Sequence, residues 1–562
     1  MNLVKLSKKD WIIWFSVITL FIGLHLFGLR SPYHQDEYKW VLYSHPEIIT
    51  PGTVPHPPLT EFIYTRLGPI VGDYNFRTIP FIFGFLNIFL LFYLVKYLYD
   101  KKTAYIAITI FTLSFYSLLA SLMVDVDGAV MPFFFLILLI GYLKWKNSNF
   151  TFDYKNYKWM CLILIGAIGG FFIKISSVLP ILAVFFDFII FKKAFTDKKR
   201  VFKYTGYGLL GLVLLFVLLL LSKFIFPFFN FEYALKYWEH FIVWDRGWFQ
   251  TIIQCIKAAL FSSPFLILVP LFLTKEDFVK NRIFVFFLSF AFIFYIILFD
   301  FSIGALDRYL QLLVIPLTIL SSVVISKILD TNDRRSKEFL LIGTIVSLIL
   351  IMVQSLPHYV PPLHPKTEWV SRIISLKWNF LYPFSGGSGP VGFYVSFLFM
   401  ALVWIIFICV VIFVIWKPQN KKRFILFLIP LGIVYNGMFI EEYLFGFYNG
   451  SAPRLIASSM EYIKNNPDIK MVTTYNDNAG FELQWIGKYR KRLYIDPKFD
   501  LNDKVANLNK YKEHYFVLDI PRIDPISPYQ KYFDSCKIVY EKIDRSISAK
   551  VYDCRRAPDL KV

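Results

Sequence analysis

Apolar runs recur along this chain, and a run of about 20 such residues matches the hydrocarbon thickness of a bilayer. They fall near residues 10–28, 78–98, 103–121, 129–144, 157–173, 176–191, 205–226, 252–273, 283–299, 308–326, 338–354, 391–416 and 424–443. Nothing else in the sequence constrains the fold as strongly. In hydrocarbon every backbone N–H and C=O needs an internal partner, and a helix supplies it. The composition agrees, with 56% hydrophobic and 18% charged residues and a mean hydropathy of +0.53. That excludes a disordered chain, which needs low hydrophobicity, and argues against an ordinary soluble enzyme. The expectation is an all-α polytopic membrane domain of about 13 transmembrane helices, followed by a small α/β or α+β domain.

The formal charge of +20 raises nucleic-acid binding as a question, and the positions of the cations answer it. With a cytoplasmic N-terminus, the inner loops are 1–9, 96–102, 144–158, 192–203, 275–282, 327–337 and 417–423. They hold 27 of the 40 Lys and Arg in residues 1–450. This is the positive-inside bias of short loops, so no nucleic-acid partner is expected. The outer loops 29–77, 227–251 and 355–390 are long and carry Tyr237, Trp238, Trp244, Trp248, Trp369 and Trp378, residues suited to the membrane–water interface. No small-residue cleavage site precedes Arg30, so the first helix reads as retained. The partner is the lipid bilayer, the location is the cell (plasma) membrane, and an odd number of spans leaves the C-terminal segment outside.

The division expected is residues 1–443 in the membrane, with loop 29–77 as the catalytic loop, and residues 444–562 as an extracytoplasmic soluble domain. Strand-like runs appear at 471–475, 515–518, 538–540 and 551–552, and 456–465 reads as helix. Cys161, Cys255 and Cys409 lie in or beside apolar spans and read as buried apolar side chains. Cys536 and Cys554 bracket two runs that can pair as a hairpin, so they are expected to form a disulfide on the oxidising side. Asn449-Gly450-Ser451 is a glycosylation sequon on the same side.

Chemistry concentrates where ionised groups lie near apolar segments. The first outer loop carries Asp36 and Glu37 within Tyr33–Trp40, then His56-Pro57-Pro58-Leu59, then Arg77 at the mouth of the second span. Two adjacent acids just past a membrane helix suit a general base near a lipid-borne substrate; an ordinary solvated acid pair is the plain alternative. Asp125 and Asp127 form an Asp-x-Asp in a short outer turn. That pattern suits a divalent metal with oxygen ligands, a helix cap or a turn acid. Lys174 stands alone in an apolar hairpin, as a phosphate partner or a snorkelling lysine. Arg308, between Asp307 and Tyr309, offers a bidentate fork for phosphate or pairs with Asp307 at the interface.

These residues carry a resemblance. Asp36-Glu37-x-x-Trp40, His56-Pro-Pro-Leu59, Arg77, Asp127-Gly-Ala-Val-Met-Pro-Phe133, Gly170-Phe-Phe-Ile-Lys174 and Arg308-Tyr309 resemble motifs of the C-type (GT-C) integral-membrane glycosyltransferases. The likeness is to the branch of the lipid A aminoarabinose transferases and dolichyl-phosphate-mannose protein mannosyltransferases. It covers roughly residues 30–320. It implies a polyprenyl-phosphate sugar donor, a protein, lipid or glycan acceptor, and inverting transfer on the extracytoplasmic face. Asp36 would be the base with Glu37 beside it; Lys174, Arg77 and Arg308 would hold the donor phosphate. Asp127 would orient the sugar or the first loop, with Asp125 as a competing carboxylate and His56 and Tyr309 as further positioning residues. The lysine stretch departs from the family pattern, reading Ile-Lys-Ile-Ser where that pattern has Thr-Lys-Gly. Metal dependence varies within that superfamily, so the resemblance fixes no cofactor, and Asp125 and Asp127 are the candidates for a divalent metal. A flippase of lipid-linked sugars and a non-catalytic assembly protein are the other classes.

Overall fold

The computed structural model describes residues 7–45, 55–193, 197–239, 241–242, 247–300, 307–329, 334–362, 366–384, 392–475, 479–493, 508, 510, 514–518, 525 and 528–559. Trp244 and Leu306 lie outside the described residues, as does the side chain of Asp307. Two compact units appear. The first comprises Met1–Arg30, Lys39–Gly343 and Phe407–Asn436; the second comprises Ser31–Tyr38, Thr344–Ile406 and Gly437–Val562.

Twelve of the thirteen apolar segments fall on a helix or a helix pair, whereas 391–416 begins with a strand at Phe393–Ser396 and turns helical only from Phe397. Among the described residues eight helices are long and apolar enough to cross a membrane, or ten if two bent pairs each count as one span. Three more apolar helices, Tyr157–Ile173, Ile175–Phe191 and Arg282–Leu298, are shorter. Length and composition therefore support a membrane-spanning, largely helical protein with eight to ten full-length spans. Cys161 and Cys409 are exposed on apolar helices and Cys255 is half-exposed, so the expectation of buried thiols fails. An apolar thiol loses little by facing hydrocarbon.

The bent pairs have local causes. Lys101–Leu113 and Phe115–Leu122 meet at 65°, where Ser114 is extended. Trp248–Phe261 and Pro264–Phe272 meet at 107°, because a residue before proline avoids the helical region and Ser263 accordingly takes ψ 122°. A break strands polar groups, and one side chain takes up both sites. Asn436 accepts the Phe115 N–H through Oδ1 at 3.0 Å and approaches Ser263 Oγ through Nδ2 at 3.0 Å.

Three buried acids fasten helix ends near the basic loops expected inside. Asp10 takes Lys101 and the Tyr105 hydroxyl. Asp187 takes Lys146, Tyr142 and Arg282. Asp277 takes Lys327 at 2.6 Å.

The second unit is built on two sheets. Strands β1 (Leu381–Phe384) and β2 (Phe393–Ser396) form an antiparallel pair. Strands β3 (Val472–Tyr475), β4 (Tyr489–Leu493), β5 (Tyr515–Leu518), β6 (Lys537–Asp544) and β7 (Ile547–Asp553) form a mixed sheet in the order β4-β3-β5-β7-β6. β3 runs parallel to β4 and β5, whereas β7 is antiparallel to β5 and β6. The helix Ala452–Asn465 contributes Leu455, Ile456 and Ile463 to a core with Val472, Val517 and Val551, joined by Leu381 and Tyr394 of the smaller sheet.

The sequon has a structural use. Asn449 is buried, and its Nδ2 donates to Glu442 Oε1 at 2.7 Å and to the Tyr394 carbonyl at 3.2 Å. Gly450 has φ +108°, and a Cβ there would lie 2.1 Å from the Asp544 carbonyl oxygen. Within the fold this asparagine amide is committed, not presented to a modifying enzyme.

A disulfide joins Cys536 to Cys554, immediately before β6 and immediately after β7. It closes the open end of that hairpin across a separation of 18 residues. A link of this span contributes about 3 kcal/mol, largely by restricting the unfolded chain. Cys536→Ser with Cys554→Ser is therefore expected to lower local stability by that order and speed proteolysis within 528–559. Limited digestion followed by mass spectrometry measures it.

Candidate active site

The turn between helices Phe115–Leu122 and Val130–Asn147 organises the first unit's ionised groups. It is closed by Gly128 N–H donating to the Asp125 carbonyl at 3.0 Å and Ala129 N–H donating to the Ala120 carbonyl at 2.8 Å. Position 128 has to be glycine, because an added Cβ would lie 2.5 Å from the Met123 carbonyl oxygen. The exposed carbonyls that a turn creates need partners, and neighbouring helices send them. Arg77 donates to the Leu122 carbonyl at 2.5 Å, Tyr64 approaches that of Met123 at 3.5 Å, and Asn87 donates to that of Ala129 at 2.9 Å. Arg77 is fully buried at the start of helix Thr78–Leu98.

The two aspartates of the turn are buried, and so is Arg308. Arg308 bridges them: Nη2 is 3.0 Å from Asp125 Oδ2 and Nε is 3.4 Å from Asp127 Oδ2. Asp127 Oδ1 also accepts from Lys174. Lys174 ends helix Tyr157–Ile173 in an extended conformation, which turns its side chain out of the helix and towards the turn. Its ammonium sits 4.5 Å from the centre of the Tyr309 ring, a cation–π distance. Tyr309 is in turn held by Tyr295, whose hydroxyl donates to its carbonyl at 3.1 Å. Three segments far apart in sequence thus deliver Asp125, Asp127, Lys174, Arg308 and Tyr309 to one place.

Trp40 is the residue that the sequence did not single out for this site. Its fully buried indole N–H donates to Asp125 Oδ1 at 3.2 Å. Its ring lies 6.2 Å from that of His56, which lies 5.9 Å from Tyr237. His56 therefore connects to the acidic turn through an aromatic contact. The sequence signal was present, since Trp40 stands one helical turn beyond Asp36, but a tryptophan near an interface has an ordinary explanation.

The helix Gln35–Tyr43 contributes Trp40 to the first unit and Asp36 and Glu37 to the second. Glu37 is buried, and its Oε2 accepts the His34 N–H at 3.1 Å, a side chain reaching back to cap the start of its own helix. Asp36 is half-exposed. Of the two acids, Asp36 is the more open to a substrate.

Among the described residues no three His, Cys, Asp or Glu side chains converge as a metal shell. The carboxylates of Asp125 and Asp127, the residues that suggested a metal, instead face Arg308 and Lys174.

Residues 55–222 match the family described as dolichyl-phosphate-mannose-protein mannosyltransferase. The crystal structure of ArnT from Cupriavidus metallidurans in the apo state is 13% identical, covering 97% of this chain and 98% of that one, with a TM-score of 0.53. The same protein bound to undecaprenyl phosphate is 12% identical with the same coverage and a TM-score of 0.53. The archaeal oligosaccharyltransferase AglB from Archaeoglobus fulgidus, in complex with an inhibitory peptide and a dolichol-phosphate, is 11% identical over 91% of this chain and 70% of that one, at a TM-score of 0.45. No curated protein sequence matches the chain. The chain shares the fold of ArnT over nearly its whole length.

Two predictions follow from the burial of these groups. Arg308→Met removes the cation shared by Asp125 and Asp127, and breaking a buried ion pair costs about 3–5 kcal/mol. A marked fall in unfolding temperature in detergent is expected. Arg308→Lys should recover little, because an ammonium lacks the two-pronged reach of a guanidinium. Glu61, on helix Pro58–Val71, is 4% exposed, and burial pushes its carboxyl up to about 8 from an ordinary 4.5. The folded protein then holds a proton that the unfolded chain has lost, so stability falls as pH rises from about 4.5 to 8. Glu61→Gln is expected to flatten that slope, as read from unfolding temperature across the range.

Proposed function

We propose that this protein is a glycosyltransferase that moves a hexosyl or pentosyl group from a polyprenyl phosphate to a hydroxyl of a protein, lipid or glycan on the extracytoplasmic face. The observation that carries the reading is the convergence of Lys174 and Arg308 on one buried turn. Cations beside apolar helices suit a phosphate that arrives on a lipid. The bound undecaprenyl phosphate of one ArnT structure accords with a donor of that kind.

In this reading Asp36 is the base. It takes the proton of the acceptor hydroxyl as that oxygen attacks the anomeric carbon. The bond from that carbon to the phosphate oxygen breaks on the opposite face, which inverts the centre. The phosphate leaves with the electron pair and gains negative charge, which Lys174 and Arg308 stabilise. Phosphate is a competent leaving group, so positioning and charge stabilisation supply most of the acceleration. Glu37 holds the helix start that presents Asp36. Arg77, Tyr64 and Asn87 hold the turn that presents the acids, and His56 and Tyr309 position the surroundings. Residues 444–562 form an extracytoplasmic domain suited to meeting the acceptor.

Asp36→Asn is nearly isosteric and removes the base. It is expected to abolish transfer, with loss of about 100-fold or more, while donor binding survives. The assay incubates purified protein with a panel of labelled polyprenyl-phosphate sugars and a membrane extract, and follows label leaving the donor. Normal turnover by Asp36→Asn would refute the base. Donor binding without consumption by the wild type would point to a flippase.

A further inference from the structure

The four ionised side chains at the acidic turn cancel one another: two carboxylates, Asp125 and Asp127, face two cations, Lys174 and Arg308. A cation kept for a phosphate is ordinarily expected to be free of carboxylates. Here both cations that the proposed function assigns to the donor already have an internal anion.

We propose that Asp127 is a built-in competitor for the lipid phosphate: the donor takes Lys174 from Asp127, and Asp127 reclaims Lys174 as the spent polyprenyl phosphate leaves. The inference rests on the function proposed above and adds a role for Asp127 to it.

Three observations carry it. The first is access. The Lys174 side chain is 19% exposed whereas that of Asp127 is 4% exposed, so of this pair the cation is the member an incoming phosphate can reach. The second is compensation. Displacing an acid from a buried partner normally strands its charge, at considerable cost. Asp127 escapes this, because its second oxygen already faces Arg308 Nε at 3.4 Å. Arg308 stays when Lys174 goes, and its fork is already shared between the two acids. The aromatic face of Tyr309 lies beside the ammonium and favours a cation there with either anion.

The third is the chemistry of turnover. The donor is a phosphodiester with one negative charge. Transfer breaks its bond to the sugar and leaves a phosphomonoester, which carries about 1.5 to 2 negative charges at neutral pH. Two unopposed cations would therefore hold the product more tightly than the substrate, and release would limit the rate. An internal carboxylate weakens both and speeds the step that would otherwise stall. Asp127 thereby sets the affinity for the lipid carrier, which is separate from orienting a sugar.

The test measures binding of undecaprenyl phosphate to the full-length protein in detergent micelles, with undecaprenol as the uncharged control. Lys174→Met is expected to weaken binding of the phosphate, as the proposed function alone requires. Asp127→Asn is expected to tighten it by on the order of threefold to tenfold, the value of an ion pair partly open to solvent. Undecaprenol binding should be unchanged. Asp127→Ser, neutral and smaller, carries the same expectation should the asparagine variant not fold. If Lys174→Met weakens binding while neither Asp127 variant tightens it, the competitor role is overturned and the phosphate site stands. Equal tightening towards undecaprenol also overturns it, since the effect would then not involve the phosphate. If Lys174→Met binds the phosphate as well as wild type, the phosphate site itself is wrong and the competitor role falls with it.

Discussion

The pairing of Arg308 with the two aspartates of a single tight turn is the interaction on which the first unit's chemistry depends. Burying two carboxylates two residues apart just past the end of an apolar helix is unfavourable unless cations are delivered to them. Meeting that demand fixes the start of the helix after residue 307, the end of helix Tyr157–Ile173, and the Trp40 indole. Each belongs to a different stretch of chain. The backbone of the turn raises the same demand for partners, and Arg77, Tyr64 and Asn87 meet it. A region whose side chains and carbonyls are both tied to neighbours is rigid, and rigidity is what a site acting by placement needs.

The spans were legible because a membrane leaves little choice: long apolar runs become helices. What the hydropathy pattern did not show was breakage. Ser114 and Ser263 interrupt apolar runs without lowering their average hydropathy much, so each bent pair reads as one straight segment. The strands were visible where β-branched and aromatic residues cluster between turn signals, as in 471–475 and 515–518. They were invisible in β4, Tyr-Arg-Lys-Arg-Leu, an edge strand whose charges resemble a loop and also discourage pairing with other chains.

The site was half legible. Isolated ionised residues stand out against apolar sequence, and Asp125, Asp127, Lys174 and Arg308 were noticed for that reason. Their mutual pairing could not be read, because it depends on how helices 47 or more residues apart in sequence pack. The metal suggested by Asp125 and Asp127 came from spacing alone; in the fold the same carboxylates face cations. Trp40 and Arg77 illustrate the converse. Both were in view, yet the turn that gives each its contact exists only after packing.

The buried sequon carries a lesson about timing. Asn449 is withheld from modification by Glu442 and Tyr394, which is a property of the finished fold and not of the three-residue pattern. Glycosylation machinery that reads emerging chains would meet Asn449-Gly450-Ser451 while its amide is still free. A glycan attached at that moment could not be accommodated beside Glu442, and the turn carrying Gly450 would have nowhere to close. In a secretory host that exposes this segment, the yield of folded protein becomes a race between burial and modification. Removing Ser451's hydroxyl would end the race at the cost of a helix cap, so the choice of expression host is a structural decision for this chain.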